Sequence, residues 1–182
     1  MTEEIIIAGF GGQGVLSMGK ILAYSGIMQD MEVCWMPSYG PEMRGGTANV
    51  TVILSDERIS SPILNEFDTA IILNQQSLDK FEHSVKPGGL LLFDNNGITR
   101  MPQRNDIQIY CVEAAAEASQ LSMEKAFNMI VLGAYLKLKP IVELDNVIKG
   151  LEKSLPERHH HTIGTNRDAI VRGMEIVQQY QF

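Results

Sequence analysis

The feature that most constrains this sequence is a glycine-rich loop between an apolar run and a helical segment. Residues 4–9, Glu-Ile-Ile-Ile-Ala-Gly, predict a short buried strand. From Val15 to Ser25 the apolar side chains recur at the spacing of an amphipathic helix. The loop between them, residues 9–14, matches the pattern G-x-G-x-x-G. A strand that turns directly into a helix in this way is typical of α/β folds.

Strand-like and helix-like segments alternate along the rest of the chain. Further strands are predicted at residues 32–36, 47–54, 69–73, 89–94 and 107–112. Helices are predicted at residues 77–84, 113–120, 123–138 and 144–151, and from Thr165, where Thr165-x-x-Asp168 resembles a capping box. We therefore predict a single α/β domain over residues 1–182. It would be a Rossmann-like three-layer sandwich with a largely parallel sheet and a helical C-terminal part.

Composition and charge exclude several classes of protein. The 182 residues carry a net charge of −7, which repels phosphate backbones and argues against nucleic-acid binding. No apolar run approaches the roughly 20 residues of a membrane span, and Thr2, Glu3 and Glu4 do not fit a secretory signal. The two cysteines, Cys34 and Cys111, are predicted to be buried thiols of a cytoplasmic protein. Two cysteines alone cannot hold an iron–sulfur cluster, which usually needs four thiolates.

The glycine-rich loop, with candidate site residues Gly9, Gly11, Gly12, Gln13 and Gly14, lacks the rest of a dinucleotide signature. NAD binding needs an acidic residue about 20 residues further on, at the end of the next strand. Residues 33–36 there are Val-Cys-Trp-Met, with neither that acid nor an arginine that would favour NADP. Residues 14–20 imitate a P-loop, but Ile21 follows instead of Ser or Thr. Either the glycines only permit a tight turn, or the loop also touches a ligand or a partner chain.

A second unusual loop follows the second predicted strand. Residues 37–46 read Pro-Ser-Tyr-Gly-Pro-Glu-Met-Arg-Gly-Gly, a composition typical of a defined loop. Because it follows a strand, it should emerge at the carboxyl end of the sheet beside the first loop, where α/β sheets place their functional crevice. Its candidate site residues are Ser38, Tyr39, Gly40, Pro41, Glu42, Arg44, Gly45 and Gly46. The alternative is a rigid connector whose charged side chains are merely solvated.

The remaining candidates are weaker. His159, His160 and His161 are consecutive, so their imidazoles cannot all converge on one metal ion, and a solvated loop is favoured over a metal site. We predict no metal site in this chain. Cys34 and Cys111 are favoured as core residues over nucleophiles.

The two loops together resemble one family. The motifs are Gly11-Gly12-Gln13-Gly14, the loop at 37–46, Ser55-Asp56 with Ser61-Pro62, and Asn166-x-x-Ala169-x-x-x-Gly173. With these motifs the chain resembles, over essentially its whole length, the gamma subunit of 2-oxoacid:ferredoxin oxidoreductases. The resemblance implies a complex that oxidatively decarboxylates a 2-oxoacid, transfers the acyl group to coenzyme A and reduces ferredoxin.

The resemblance also implies which subunits of that complex hold the cofactors. Thiamine diphosphate with magnesium lies between the alpha and beta catalytic subunits, and [4Fe–4S] clusters and a ferredoxin-like delta subunit relay electrons. The gamma chain itself is expected to bind no cofactor and to have no catalytic residue. Its glycine turn would face coenzyme A or a partner subunit, and its second loop would pack against the catalytic subunits. We favour 2-oxoglutarate over pyruvate or branched-chain oxoacids.

Two other functions stay open from the sequence. One is a stand-alone Rossmann-type nucleotide-binding oxidoreductase, and the other is a purely structural assembly module. In isolation the chain could also form a homodimer.

Overall fold

The computed structural model describes residues 1–39 and 46–181, except for the side chain of Tyr39. Within these ranges one sheet has the strand order β2-β3-β1-β4-β5-β6-β7. Its strands are β1 Thr2–Phe10, β2 Glu32–Tyr39, β3 Thr47–Ser55, β4 Phe67–Ile72, β5 Val85–Asp94, β6 Gln108–Val112 and β7 Gln178–Gln179. The neighbouring strands β1, β4, β5 and β6 are parallel, whereas β3 and β7 run antiparallel to their neighbours. The predicted α/β fold with a mostly parallel sheet is confirmed.

Helices cover the two faces of the sheet unequally. They are α1 Val15–Met28, α2 Gln75–Phe81, α3 Ala114–Gln120, α4 Phe127–Leu138, α5 Leu144–Ser154 and α6 Ile163–Ile176. Buried side chains of α1, α3, α4, α5 and α6 belong to one hydrophobic core, and Leu78 of α2 belongs to the other. None of these helices, in the part of the chain that the structure describes, is both long and apolar enough to cross a membrane.

Strand β1 shows why its sequence is apolar at consecutive positions. Ile5 and Ile7 point into the core on the side of α1, and Ile6 and Ala8 point into the core on the side of α2. A central strand covered on both faces has no solvent side, so the polar alternation of an edge strand is lost. The strand ends at the glycine-rich loop and therefore fixes the position of that loop.

Helices α4 and α6 cross at two glycines. An ideal Cβ on Gly133 would lie 1.9 Å from the carbonyl oxygen of Ile170, and one on Gly173 would lie 1.9 Å from the carbonyl oxygen of Ile130. The two backbones approach so closely that neither position has room for a methyl group. The crossing therefore depends on glycine at both positions.

Several local predictions are wrong. The sequence predicts that the second strand ends at Met36, but β2 continues through Pro37 and Ser38 to Tyr39, so the first three residues of the predicted second loop are strand residues paired with β3. The sequence predicts a strand that begins at Gly89, but β5 begins at Val85 and includes Pro87 and Gly88 in an irregular part, where its register with β4 shifts. The last helix begins at Ile163 and not at Thr165, so the predicted Thr165–Asp168 capping box does not form its start. A 3-10 helix, Glu157–Thr162, leads directly into α6, and its last residue, Thr162, donates its hydroxyl to the carbonyl oxygen of His159.

Candidate functional site

The two loops singled out in the sequence begin at the same edge of the sheet. Phe10 at the end of β1 pairs with Thr47, and Tyr39 at the end of β2 pairs with Ala48, so all three strands meet there. The backbone N–H of Gly11 donates to the carbonyl oxygen of Gly46 over 2.8 Å. The structure therefore joins the glycine turn, residues 9–14, to the far end of the second loop. Exposed Ser38 is also at this edge, but Gly40, Pro41, Glu42, Arg44 and Gly45 lie outside the described residues.

The backbone of the glycine turn explains its composition. Gly12 has φ +96° and Gly14 has φ +77°, values in the left-handed region that side-chain-bearing residues rarely adopt. Gly9 is required for a different reason, because a Cβ there would lie 2.9 Å from the Cβ of Leu73. The turn is thus built to bring β1, α1 and the end of β4 close together.

Two amide side chains hold the turn in place. Gln13 Oε1 accepts the backbone N–H of Phe10 at 2.6 Å, and Gln13 Nε2 donates to the carbonyl oxygen of Leu73 at 3.2 Å. Asn128 Nδ2, on α4, donates to the carbonyl oxygen of Gly14 at 3.2 Å. Gln13 is therefore a brace within the turn. Sequence reasoning missed Asn128, because it lies in a helical segment and belongs to no motif.

The N-terminus of α1 opens beside this turn. Gly14 is its N-cap and supplies no side-chain acceptor, and its first turn contains no acidic residue. The positive end of the helix macrodipole is thus left without a neutralising side chain, which favours an anion. A cleft of about 310 Å³ lies here, lined by Phe10, Gly11, Gly12, Gly14, Val15, Leu16, Ser17 and Ala48.

A second cleft lies on the other side of Ser17, which lines both. Its volume is about 500 Å³, and it lies between α1, α5 and the segments that begin α4 and α6. Its walls combine apolar side chains such as Met129 and Leu155 with amides such as Asn128 and Asn166. The two clefts together form a partly polar surface next to the glycine turn.

The strand order argues against dinucleotide binding. In a dinucleotide-binding fold the strand after the first helix lies parallel to the first strand and carries an acidic residue at its end. Here antiparallel β3 lies between β1 and β2, so the end of β2 is one strand further away. The described residues near that end are Pro37 and Ser38, neither of which is acidic. The described residues at the end of β2 therefore supply no acidic side chain for the ribose hydroxyls.

The histidine tract has a structural role that sequence reasoning missed. His160 Nε2 lies 3.1 Å from the carbonyl oxygen of Glu152 and 2.9 Å from that of Leu155, at the C-terminal end of α5. His161 Nδ1 lies 2.9 Å from the carbonyl oxygen of Arg158. Within residues 1–39 and 46–181 no group of three or more His, Cys, Asp or Glu side chains is arranged to hold a metal ion. His160 therefore caps a helix end.

The two cysteines are less buried than predicted. Cys34 on β2 and Cys111 on β6 are both partly exposed, because β2 is an edge strand and β6 is covered only by the short β7. Burial nevertheless raises the pKa of both thiols, which disfavours the reactive thiolate. Four strands lie between β2 and β6, so the two sulfurs cannot act on one ligand.

Asp94 is a buried carboxyl group at the same carboxyl edge of the sheet, at the end of β5. It is 1% exposed, and its Oδ1 accepts the backbone N–H of Ala114 at 2.9 Å, which ties β5 to the start of α3. Burial raises its pKa from 3.8 to about 6, against the opposing effect of the backbone N–H groups that face it, and nearby Glu113 adds to the rise. Burial of the charged Asp94 carboxylate therefore costs free energy, which its hydrogen bonds to backbone N–H groups offset in part.

Replacing Asp94 by asparagine is expected to remove a pH dependence of stability. Because the pKa is raised from 3.8 to about 6 on folding, the folded state binds the proton more tightly. That stabilisation is complete below about pH 4 and is lost as the pH rises through 6, with a total of about 2–3 kcal/mol. Urea denaturation of wild type and Asp94→Asn across this range should show the wild type gaining stability relative to the variant on acidification. If the difference in the free energy of unfolding between the two proteins did not change with pH, this prediction would be wrong.

Comparison with known proteins decides the family. Residues 4–176 match the family described as Pyruvate ferredoxin/flavodoxin oxidoreductase. The chain belongs to this family. The match extends over the glycine turn, the second loop and the six α-helices found among the described residues.

Individual relatives agree with this assignment. The chain is 33% identical over 183 residues to 2-oxoglutarate synthase subunit KorC of Methanocaldococcus jannaschii, covering 98% of this chain and 96% of the relative. It is 40% identical over 135 residues to ketoisovalerate oxidoreductase subunit VorA of Methanothermobacter thermautotrophicus, covering 74% of this chain but only 28% of that longer subunit.

A solved structure has the same architecture. The gamma subunit of keto/oxoacid ferredoxin oxidoreductase from Geobacter sulfurreducens superposes with a TM-score of 0.82 at 30% identity, covering 97% of this chain and 96% of that one. The predicted resemblance to gamma subunits is confirmed.

Proposed function

We propose that this chain is the gamma subunit of a multi-subunit 2-oxoacid:ferredoxin oxidoreductase and shapes the approach of substrate and coenzyme A. The observation that carries the proposal is the match over nearly the whole length of KorC, a single subunit of a 2-oxoacid enzyme. In this role the chain contributes surface and loop geometry. The [4Fe–4S] clusters would be held by other subunits, since the chain's two cysteines lie on strands far apart in the sheet. Thiamine diphosphate and magnesium would likewise belong to the catalytic subunits.

The partners follow from this role. We propose alpha and beta catalytic subunits, a ferredoxin-like delta subunit, and ferredoxin as the electron acceptor. Among substrates 2-oxoglutarate is favoured, because a relative that covers 98% of this chain at 33% identity is a 2-oxoglutarate synthase subunit. The higher identity to the ketoisovalerate enzyme extends over a smaller share of this chain. We place the complex in the cytoplasm.

The glycine turn is the surface proposed to face coenzyme A or a partner subunit. Its backbone groups and the uncapped N-terminus of α1 suit an anionic group, such as a phosphate of coenzyme A, on a chain whose net charge is otherwise −7. The adjoining clefts of about 310 and 500 Å³ provide room for the rest of an extended ligand. The loop from Ser38 to Gly46 would pack against the catalytic subunits, with Glu42 and Arg44 orienting it.

Reconstitution with the partner subunits tests the proposal. The complex is assembled with and without this chain, and dye reduction is measured with 2-oxoglutarate, pyruvate or 2-ketoisovalerate in the presence of coenzyme A. We expect turnover to depend on this chain and kcat/KM to be highest with 2-oxoglutarate. Equal turnover without the chain would refute the proposed role, whereas a different preferred oxoacid would refute only the substrate assignment.

The same assembly distinguishes shaping of the site from scaffolding alone. If the chain only supports assembly, Arg44→Ala should lower the yield of intact complex and leave the KM for coenzyme A of the assembled fraction unchanged. We expect instead that the KM of the assembled complex for coenzyme A rises.

A further inference from the structure

We propose that Asn96 is a site of spontaneous deamidation, independent of the function proposed above. Asn96 and Gly97 form an exposed turn directly after β5. The turn is closed by the backbone N–H of Ile98, which lies 3.3 Å from the carbonyl oxygen of Asn95. Of all the asparagines in the sequence, Asn96 is the one followed by glycine.

The chemistry needs only water as a co-reactant. The backbone nitrogen of Gly97 loses its proton to base and attacks Cγ of Asn96. A C–N bond forms, the base returns the proton to the side-chain nitrogen as the bond from Cγ to that nitrogen breaks, and ammonia leaves to give a five-membered succinimide. Water then opens the ring at either carbonyl and yields aspartate or isoaspartate at position 96, with no change of oxidation state.

The local structure leaves the turn accessible to solvent. Glycine has no side chain to shield its own nitrogen, and even an ideal Cβ on Gly97 would meet nothing within 4 Å. The turn borders an open cleft of about 500 Å³, lined also by Asn95 and Glu113, through which water reaches the ring. Asn65 and Asn105 are equally exposed, but Glu66 and Asp106 follow them, and these bulkier residues hinder the attack.

The product would alter the junction between β5 and α3. A carboxylate at position 96 would lie near two acidic residues, Asp94 and Glu113. The backbone N–H of Asn96 helps to lower the pKa of Asp94. Asn95 Nδ2 donates to Glu113 Oε1 at 3.1 Å. Three acidic groups would then meet where Asp94 holds the start of α3. The isoaspartate form also lengthens the backbone between position 96 and Gly97, one residue before Ile98, which is only 9% exposed. Conversion should therefore weaken the fold.

Ageing of the full chain tests the site. The folded protein is incubated in mildly alkaline buffer, and peptide mapping by mass spectrometry with an isoaspartate assay locates the products. We expect aspartate and isoaspartate to accumulate at position 96 while Asn65 and Asn105 stay intact, and Asn96→Ser to remove the signal. If Asn96 persists in the folded protein while a urea-unfolded sample converts, the turn protects it and the proposal is wrong.

A second experiment measures how the conversion at position 96 changes stability. Asn96→Asp, which reproduces one product, is expected to lower Tm at neutral pH and to lose this effect on acidification, when the clustered carboxyl groups are neutralised. Asn65→Asp is the matched control, since it adds the same charge on another connecting segment. Equal Tm values for wild type and Asn96→Asp at neutral pH would overturn the predicted weakening.

Discussion

Replacing Gly133 by alanine is expected to destabilise the protein by about 3 kcal/mol, the upper end of the usual cost of overpacking. The new methyl group would lie 1.9 Å from the carbonyl oxygen of Ile170, and this atom belongs to the backbone of α6 and cannot rotate away. The two helices must separate, which opens the core that Ile130 and Ile170 fill between them. Urea denaturation monitored by circular dichroism measures the loss.

Gly164→Ala is the matched control for this variant. Gly164 is also in α6, but a Cβ there meets nothing within 4 Å. Since alanine favours the helix by up to about 1 kcal/mol, this variant should be as stable as the wild type or more so. If Gly133→Ala were equally stable, the close crossing of α4 and α6 would be refuted.

Replacing Gly14 by alanine is expected to lower the kcat/KM of the reconstituted complex for coenzyme A by about tenfold or more, because small displacements of a binding surface have effects of this size. Gly14 has φ +77°, so alanine strains the backbone there by about 1 kcal/mol. Its Cβ would also lie 2.4 Å from Asn128 Nδ2 and displace the side chain that holds the turn. The glycine turn and the start of α1 would shift together.

Gly88→Ala separates strain from function. Gly88 has φ +76°, almost the same as Gly14, but a Cβ there has no neighbour within 4 Å, and it lies near the start of β5, at the opposite edge of the sheet. Both variants should lose a similar part of their stability from the backbone. Only Gly14→Ala should lower the kcat/KM of the complex for coenzyme A. Equal kinetic effects of the two variants would show that the glycine turn faces neither coenzyme A nor a partner.

Much of the fold was predictable because it depends on short segments. The consecutive isoleucines of β1 and the glycines after them define a strand, a turn and a helix within residues 2–28. The strand order was not predictable in the same way. No local pattern in Thr47–Ser55 indicates that β3 pairs with β1 and so separates β1 from β2, because the pairing of β1 with β3 joins residues far apart in sequence.

The candidate site shows the same limit. The glycines could be found from their pattern, but their supports could not, since Asn128 reaches Gly14 from a helix more than a hundred positions later. The failed capping box has a physical reason as well. A 3-10 helix precedes α6, so the chain is already helical at Thr165, and the motif finds no free helix end to cap.

The hydrogen bond between Gly11 and Gly46 ties the glycine turn to the residue that directly precedes β3. Strand β3 starts at that bond and then lies along the whole of β1, in register from Phe10 and Thr47 to Thr2 and Ser55. A displacement of the start of β3 would therefore also shift the glycine turn, which leads into the first turn of α1. If a neighbouring subunit docks and an anion binds at this edge, as we propose, each event should influence the other without any rearrangement of the core.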